Sequence, residues 1–350
     1  MRLKYAALVV VLTASLGRTQ DGGGAPMQER TVEQEKSIAK GIKWLLAIQA
    51  KDGKWGCEKS GAPSTAITGL AALALAAAGS TPREGEHKEA IAKAVAALLK
   101  IQKPSGQITE FDSTGMGLLY DHSCATLALA EFYGMQRDPD EIEGLREGLT
   151  KAIEFLYTKQ NRDGGWDAQF QGSNSDLAIT CNVWLALRSA HNAGVTIKGA
   201  SIDKVEEFVK RCVEPAGGFN QYPTVRGGGG RMFYPTSAGL RIMFGMGKGD
   251  LKEVERGIEV LLTKKLGDDY GGKISEWDYC GGFFAAMALL HENGKAWKTW
   301  YPKLRDQLLK IQNPDGSWTI EYCLCCRAYA TALSLLMLQC PNRLLPVFQL

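Results

Sequence analysis

Apolar residues fall at Ile38, Ile42, Leu45 and Leu46, one face of a helix, and a Gly/Trp turn then leads into Ser64 to Ala78, apolar on nearly every side. The first pattern predicts an amphipathic helix over 31–49, the second a helix buried all round. Thr31-Val-Glu-Gln34 has capping-box spacing and starts the first helix, while Gly53 and Gly56 end it. The pair recurs. Outer helices are predicted at about 87–102, 144–160, 202–213, 251–265 and 297–312. Inner ones are predicted at about 122–133, 176–191, 235–246, 279–291 and 327–339. In the fifth outer helix Val254, Ile258, Leu261 and Leu262 repeat the spacing of the first.

A turn motif ties the pairs together. Gln49-Ala-Lys-Asp-Gly53-Lys-Trp55 returns as Gln160-Asn-Arg-Asp-Gly164-Gly-Trp166 and as Gln312-Asn-Pro-Asp-Gly316-Ser-Trp318. Between the intact copies the motif decays. Gln102 to Gly106 keeps its Gln and Gly with Ile108 in the Trp place, Val213 to Phe219 keeps Gly217 and an aromatic, and the region near Gly271 keeps glycines alone. Internal periods of this length mean a repeat architecture. Two-helix units stacked six times make either an open solenoid or a closed ring. The first and last inner helices are as apolar as the rest, whereas an open array needs polar caps, so closure is expected. The predicted fold is all-α, an (α/α)6 toroid of six hairpins around a central space.

Composition adds the context. Of 350 residues 45% are apolar and 23% charged with mixed signs, which argues against disorder. A net charge of +3 without a long basic run gives no support for a nucleic-acid partner. Residues 1–17 read as an export signal, with Arg2 and Lys4, then Tyr5 to Leu12, then Ser15-Leu16-Gly17 as cleavage site. That apolar run is shorter than the ~20 residues a transmembrane span requires. Cleavage would leave 39 basic against 38 acidic residues. Residues 18–30 read as a flexible leader, 31–345 as one toroid domain, and the product as periplasmic or extracellular. The nine cysteines are an odd number for an oxidising compartment, so at least one thiol stays unpaired or pairs between chains.

Q-x3-G-x-W between paired helices, six times round, resembles the terpenoid cyclase and protein prenyltransferase superfamily. Within it, the chain is similar to the exported prenyltransferase/squalene-oxidase repeat proteins of bacteria. The likeness implies that the motif's Gln and Trp are structural fasteners, the reading the residues themselves favour. It also implies an apolar central cavity entered near the N-terminal ends of the inner helices, and an apolar, isoprenoid-like ligand.

The chemistry has to come from particular residues. Cyclases of the superfamily protonate an alkene with D-x-D-D, which is absent here; Asp138-Pro-Asp140-Glu141 comes nearest but reads as a solvated turn. The prenyltransferase zinc pattern, D-x-C with a His one repeat later, resembles Asp278-Tyr-Cys280, with Cys326 at the His position when the sixth inner helix is aligned on Tyr329. Asp278, Cys280 and Cys326 could thus hold zinc with one position open, although residues i and i+2 of a helix point apart. Otherwise Cys280 and Cys326 are small apolar core residues. Asp121-His122 opens the second inner helix and is expected to face the central space, as acid/base or ligand pair. A helix cap and a structural histidine are the plainer alternative. Asp176 is expected to be a cap. Cys124, Cys181, Cys280 and Cys326, in the first turns of inner helices, are expected to pack, with disulfides between adjacent units or a Cys323–Cys326 pair as the alternatives. Arg226-Gly-Gly-Gly-Gly230-Arg231 could cradle an anion but reads first as a surface loop.

Two functions stay open. One is an exported cyclase- or prenyltransferase-like enzyme, with Asp121, His122 and Asp278 as its polar groups. The other is a non-catalytic toroid that binds a lipid or a protein partner. A polysaccharide-active toroid would need paired carboxylates about 5–10 Å apart across the ring. A thioester toroid is disfavoured because Gly-Cys-Gly-Glu-Gln is absent.

Overall fold

The computed structural model describes residues 30–57, 62–110, 116–172, 174–225, 232–292, 294–321 and 327–349. The proposed export signal, the 226–231 loop and Cys323, Cys325 and Cys326 lie outside the described residues. Outer helices are α1 (Val32–Ala47), α3 (Lys88–Ile101), α5 (Leu145–Thr158), α7 (Gly199–Cys212), α9 (Lys252–Leu262) and α11 (Lys295–Ile311). Inner helices are α2 (Thr65–Ala76), α4 (Leu118–Gly134), α6 (Leu177–Asn192), α8 (Phe233–Gly245), α10 (Glu276–Glu292) and α12 (Arg327–Gln339). Two short strands, β1 (Trp55–Gly56) and β2 (Pro63–Ser64), pair antiparallel in the first unit. Among the described residues no helix is long and apolar enough to cross a membrane.

Each inner helix packs on the next, from α2 through α4, α6, α8 and α10 to α12, and α12 returns to α2. Every residue of α2 is buried, down to its threonines, as expected of a helix without a solvent face. Between the end units, Gln312 Nε2 donates to Ser37 O at 2.9 Å, and Gln339 Nε2 donates to Ala74 O at 3.0 Å. The first and last outer helices are therefore in contact, as the expected closure requires.

The capping box is only half made. Thr31 Oγ accepts from the Gln34 amide, but the Gln34 side chain donates instead to Tyr301 Oη at 3.0 Å and Leu338 O at 2.6 Å. Closing the ring engages a side chain that local sequence would assign to its own helix end.

The turn motif acts as a set of fasteners. Nε2 of Gln49, Gln102, Gln160 and Gln312 each donates to the carbonyl of the motif glycine four residues on. The same amides also reach a carbonyl in the next outer helix: Ala90, Gly148, Ser201 and, across the closure, Ser37. Indole N–H groups of Trp55, Trp166 and Trp318 donate to Leu45 O, Leu156 O and Leu308 O, each at 2.8 Å. Gly164 illustrates why the glycine is required. Its φ of +92° is the left-handed region, and a Cβ there would run into the Lys204 carbonyl of the next unit.

Past α12 the chain runs under the ring. Val347 N donates to Glu131 Oε2 at 3.0 Å, Arg343 Nη2 donates to Leu290 O at 3.1 Å, and Phe348 meets Phe283 edge-on. Val347 and Phe348 are buried, so this tail covers the C-terminal ends of α4, α6 and α10.

Candidate functional site

A recurring bond sets the rotation of each inner helix. The backbone N–H of the motif aromatic donates to a threonine hydroxyl: Trp55 to Thr68, Trp166 to Thr180, Phe219 to Thr236 and Trp318 to Thr331, all between 3.0 and 3.1 Å. In the second unit Ile108 N donates instead to His122 Nδ1 at 2.9 Å. His122 therefore holds the threonine place.

That arrangement corrects the expectation that His122 faces the central space. Its Nε2 lies 3.2 Å from Ala152 O on α5 and its ring packs edge-on to Phe155 at 4.8 Å, so it points outward. Since Nδ1 accepts a backbone amide, the proton sits on Nε2. Burial brings the imidazole down to about 4, against a weaker pull from the Ala152 carbonyl. Both nitrogens are committed to backbone, which leaves none for acid/base work.

Asp121 is not the helix cap, because α4 starts at Leu118 after Gly117. It lies fully buried in the first turn, in the repeat position of Ile67 and Ile179, close enough to Cys124 to help push that thiol up. Asp278 is taken up locally. Its Oδ2 accepts from Ser275 N at 2.9 Å and Ser275 Oγ at 2.6 Å, and its Oδ1 accepts from Gly267 N at 2.9 Å. Asp278 N in turn donates to Ser275 Oγ, completing a Ser-x-x-Asp capping box that the sequence displayed but that the D-x-C resemblance overshadowed. Burial still holds the carboxyl above its ordinary value. Asp176 is the expected cap, accepting from Ala178 N and Ile179 N, and its second oxygen accepts from Gln221 Nε2 at 2.6 Å.

Two residues before the anchor position, which Thr68, His122, Thr180, Thr236, Gly282 and Thr331 occupy in turn, stand Ala66, Tyr120, Ala178, Tyr234, Cys280 and Tyr329. Tyr120 and Tyr329 hydroxyls meet at 2.6 Å although α2 stands between their helices. Tyr120 Oη also reaches Cys280 Sγ at 3.6 Å, from the helix opposite in the ring. Those contacts can only be made across the axis. All four polar members are at most 5% exposed, so at this level side chains fill the axis and the expected cavity is closed. Burial leads the causes that push Tyr120, Tyr234 and Tyr329 well above the usual phenol range and Cys280 up to about 12. The cluster is therefore neutral.

Asp121, His122 and Asp278 thus do not converge. Cys280 faces the axis while Asp278 bonds to the loop before its helix, so this pair does not fit a shared metal; Cys326 lies outside the described residues. Among the described residues no group of three His, Cys, Asp or Glu side chains is placed to hold a metal ion. None of the three axial tyrosines is among the site groups expected from the sequence. Their signal was a fixed offset from the threonine anchor, visible only once that anchor is known.

The sequence model of the prenyltransferase alpha-alpha toroid domain matches residues 25–183 and 122–291. The chain belongs to this family. Squalene–hopene cyclase of Bradyrhizobium diazoefficiens is 26% identical over 151 residues, 38% of this chain and 21% of the cyclase, so the match spans about a fifth of that relative. A variant of the type II terpene cyclase MstE from Scytonema, solved with geranylgeranyl dihydroxybenzoate, superposes with a TM-score of 0.60 at 15% identity, covering 89% of this chain and 98% of that one. The α-1,6-mannanase GH76A of Salegentibacter superposes at 0.65 with 9% identity, covering 89% and 99%. Identities this low establish a shared fold and no shared chemistry.

Proposed function

We propose that this chain is an exported toroid protein that binds an apolar, isoprenoid-like ligand at the N-terminal mouth of its inner helices, without alkene-protonating chemistry. The observation that carries the reading is the neutral axial cluster of Tyr120, Tyr234, Cys280 and Tyr329. Aromatic walls with hydroxyl groups suit an apolar chain that ends in a small polar group. Support for binding over turnover comes from two of the buried carboxylates at this end. Asp176 and Asp278 each accept three hydrogen bonds, whereas a protonating acid must be a donor. Entry requires the axial tyrosines to turn aside, since they fill the space at rest.

Native mass spectrometry of the mature protein, with and without added geranylgeraniol, tests the reading. A one-to-one adduct that Tyr120→Trp abolishes supports it; no adduct with either this alcohol or co-purified lipid removes it. Zinc has no part in this reading. Stoichiometric zinc lost on Cys280→Ala would restore the transferase alternative. Export is checked by the mass of the secreted N-terminus, expected just after Gly17.

The second reading, a toroid that binds a protein partner and no small ligand, draws on the same closed axis. It predicts that the mass spectrum stays empty while the tyrosine variants behave as wild type.

A further inference from the structure

Arg241 breaks the repeat. Five residues past the threonine anchor the other inner helices carry Leu73, Leu127, Leu185, Met287 and Leu336, and α8 alone carries a charge. The side chain is 1% exposed, and none of Nε, Nη1 and Nη2 has a hydrogen-bond acceptor among the described residues. Its guanidinium lies over the Trp184 ring at 5.3 Å, and Arg188, whose Nε is likewise without an acceptor, is near enough to repel it. Among the described residues Glu131 is the carboxyl that attracts it, yet the two form no salt bridge. Glu131 Oε2 is taken by the tail amide of Val347, the Ser189 hydroxyl also lies against this carboxyl, and Oε1 has no hydrogen-bond partner among the described residues. A buried guanidinium without acceptors costs several kcal/mol, so this arrangement calls for a compensating group.

We infer that the end of the ring beneath the C-terminal tail is a binding site for a phosphate-type oxoanion, held by Arg241 and Arg188. The orphaned guanidinium nitrogens supply forked donors that match phosphate oxygens, and Trp184 fixes the plane of the fork. Glu131, with burial keeping its carboxyl up at about 7, can donate through Oε1 to a phosphate oxygen instead of repelling it. The tail residues Val347 and Phe348 close the site, so an occupant enters only when the tail lifts. This end lies opposite the tyrosine cluster, and the inference does not depend on what the mouth binds.

Calorimetric titration of the full mature chain with inorganic phosphate and, separately, with geranylgeranyl monophosphate tests it. At least one probe should bind, and Arg241→Leu, which restores the repeat residue, should weaken that binding by about thirtyfold or more, the loss typical of a buried charged partner. The same variant should melt no lower than wild type in phosphate-free buffer, because an uncompensated charge has been replaced by the residue its neighbours use. Arg188→Gln should weaken binding too, giving a second reading if Arg241→Leu misfolds. Binding of inorganic phosphate identifies a free anion; binding of the prenyl phosphate alone identifies a lipid headgroup. Silence from both probes, or binding that Arg241→Leu and Arg188→Gln leave unchanged, overturns the inference.

Discussion

The turns that join the hairpins and the axis they surround follow opposite rules. At the turns, side chains bond to backbone, and the same bonds recur in the first, third and sixth units. Across the axis side chain meets side chain, with Tyr120, Cys280 and Tyr329 at one level and Arg241 among leucines at another. Backbone groups are alike in every unit, so a bond to them can be copied; a bond between two side chains serves one place only. Recurrence therefore marks what holds the ring, and departures from it mark where a particular ligand can be encoded. His122 is the instructive exception. It departs in identity, yet performs the threonine's task.

The largest effect should come from the recurring set. Trp166→Ala removes a fully buried indole and its bond to Leu156 O, and should cost about 3–5 kcal/mol in urea unfolding. A loss below ~1 kcal/mol would mean that the turns do not hold the ring.

Next in size is a pH effect that isolates His122. Its folded value of about 4 lies below the ordinary 6.5, so the unfolded chain takes up a proton first as pH falls. The His122 contribution to stability should therefore decline on acidification between those values by about 3 kcal/mol and level off below. Glu131 acts in the other direction: the stability its proton lends is complete below 4.5 and lost as pH rises through about 7. Comparing wild type with His122→Thr separates the two. The difference in stability, wild type minus variant, should carry the acid decline while Ile108 N keeps an acceptor in both; a difference that does not change with pH would place the titrating group elsewhere.

Much of the fold was legible because inner and outer helices differ in period and in apolar content, and because the Q-x3-G-x-W turns punctuate them. Closure was legible from α2 and α12 lacking polar caps, though not from Gln34, whose partners stand about 300 residues away in Tyr301 and Leu338. The site was far less so. Asp278 looked like a ligand beside Cys280, but helix geometry turns one to the preceding loop and the other to the axis. Residues at i and i+2 diverge by most of a half turn, and sequence adjacency hides that. Arg241 was visible as a lone charge in an apolar helix; its lack of acceptors was not, since that depends on neighbours from α4 and α6 and on the tail.

A smaller effect tests whether all turns are equivalent. Gln312→Ala and Gln102→Ala each remove two bonds from a half-buried amide to backbone, one across the closure and one inside the array. Both should cost about 1–2 kcal/mol. If the ring opened at its ends before unfolding, Gln312→Ala would speed hydrogen exchange in α1 and α12 well beyond what Gln102→Ala does; equal exchange supports one cooperative ring.

The smallest stability change should come from the axis. Tyr120→Phe deletes one hydroxyl from the contact with Tyr329 and Cys280 while the ring still fills the same space. Tyr329 Oη and Cys280 Sγ keep each other as neighbours in that cluster, so neither is stranded as a buried charge would be. Unfolding free energy should fall by no more than about 1 kcal/mol. Binding of an isoprenoid alcohol, read by the same mass spectrometry, should weaken in spite of this, because the deleted hydroxyl is one of the few polar handles at the mouth. A variant that lost several kcal/mol of stability would make the tyrosines part of the ring's scaffold, and the contrast between turns and axis would fail.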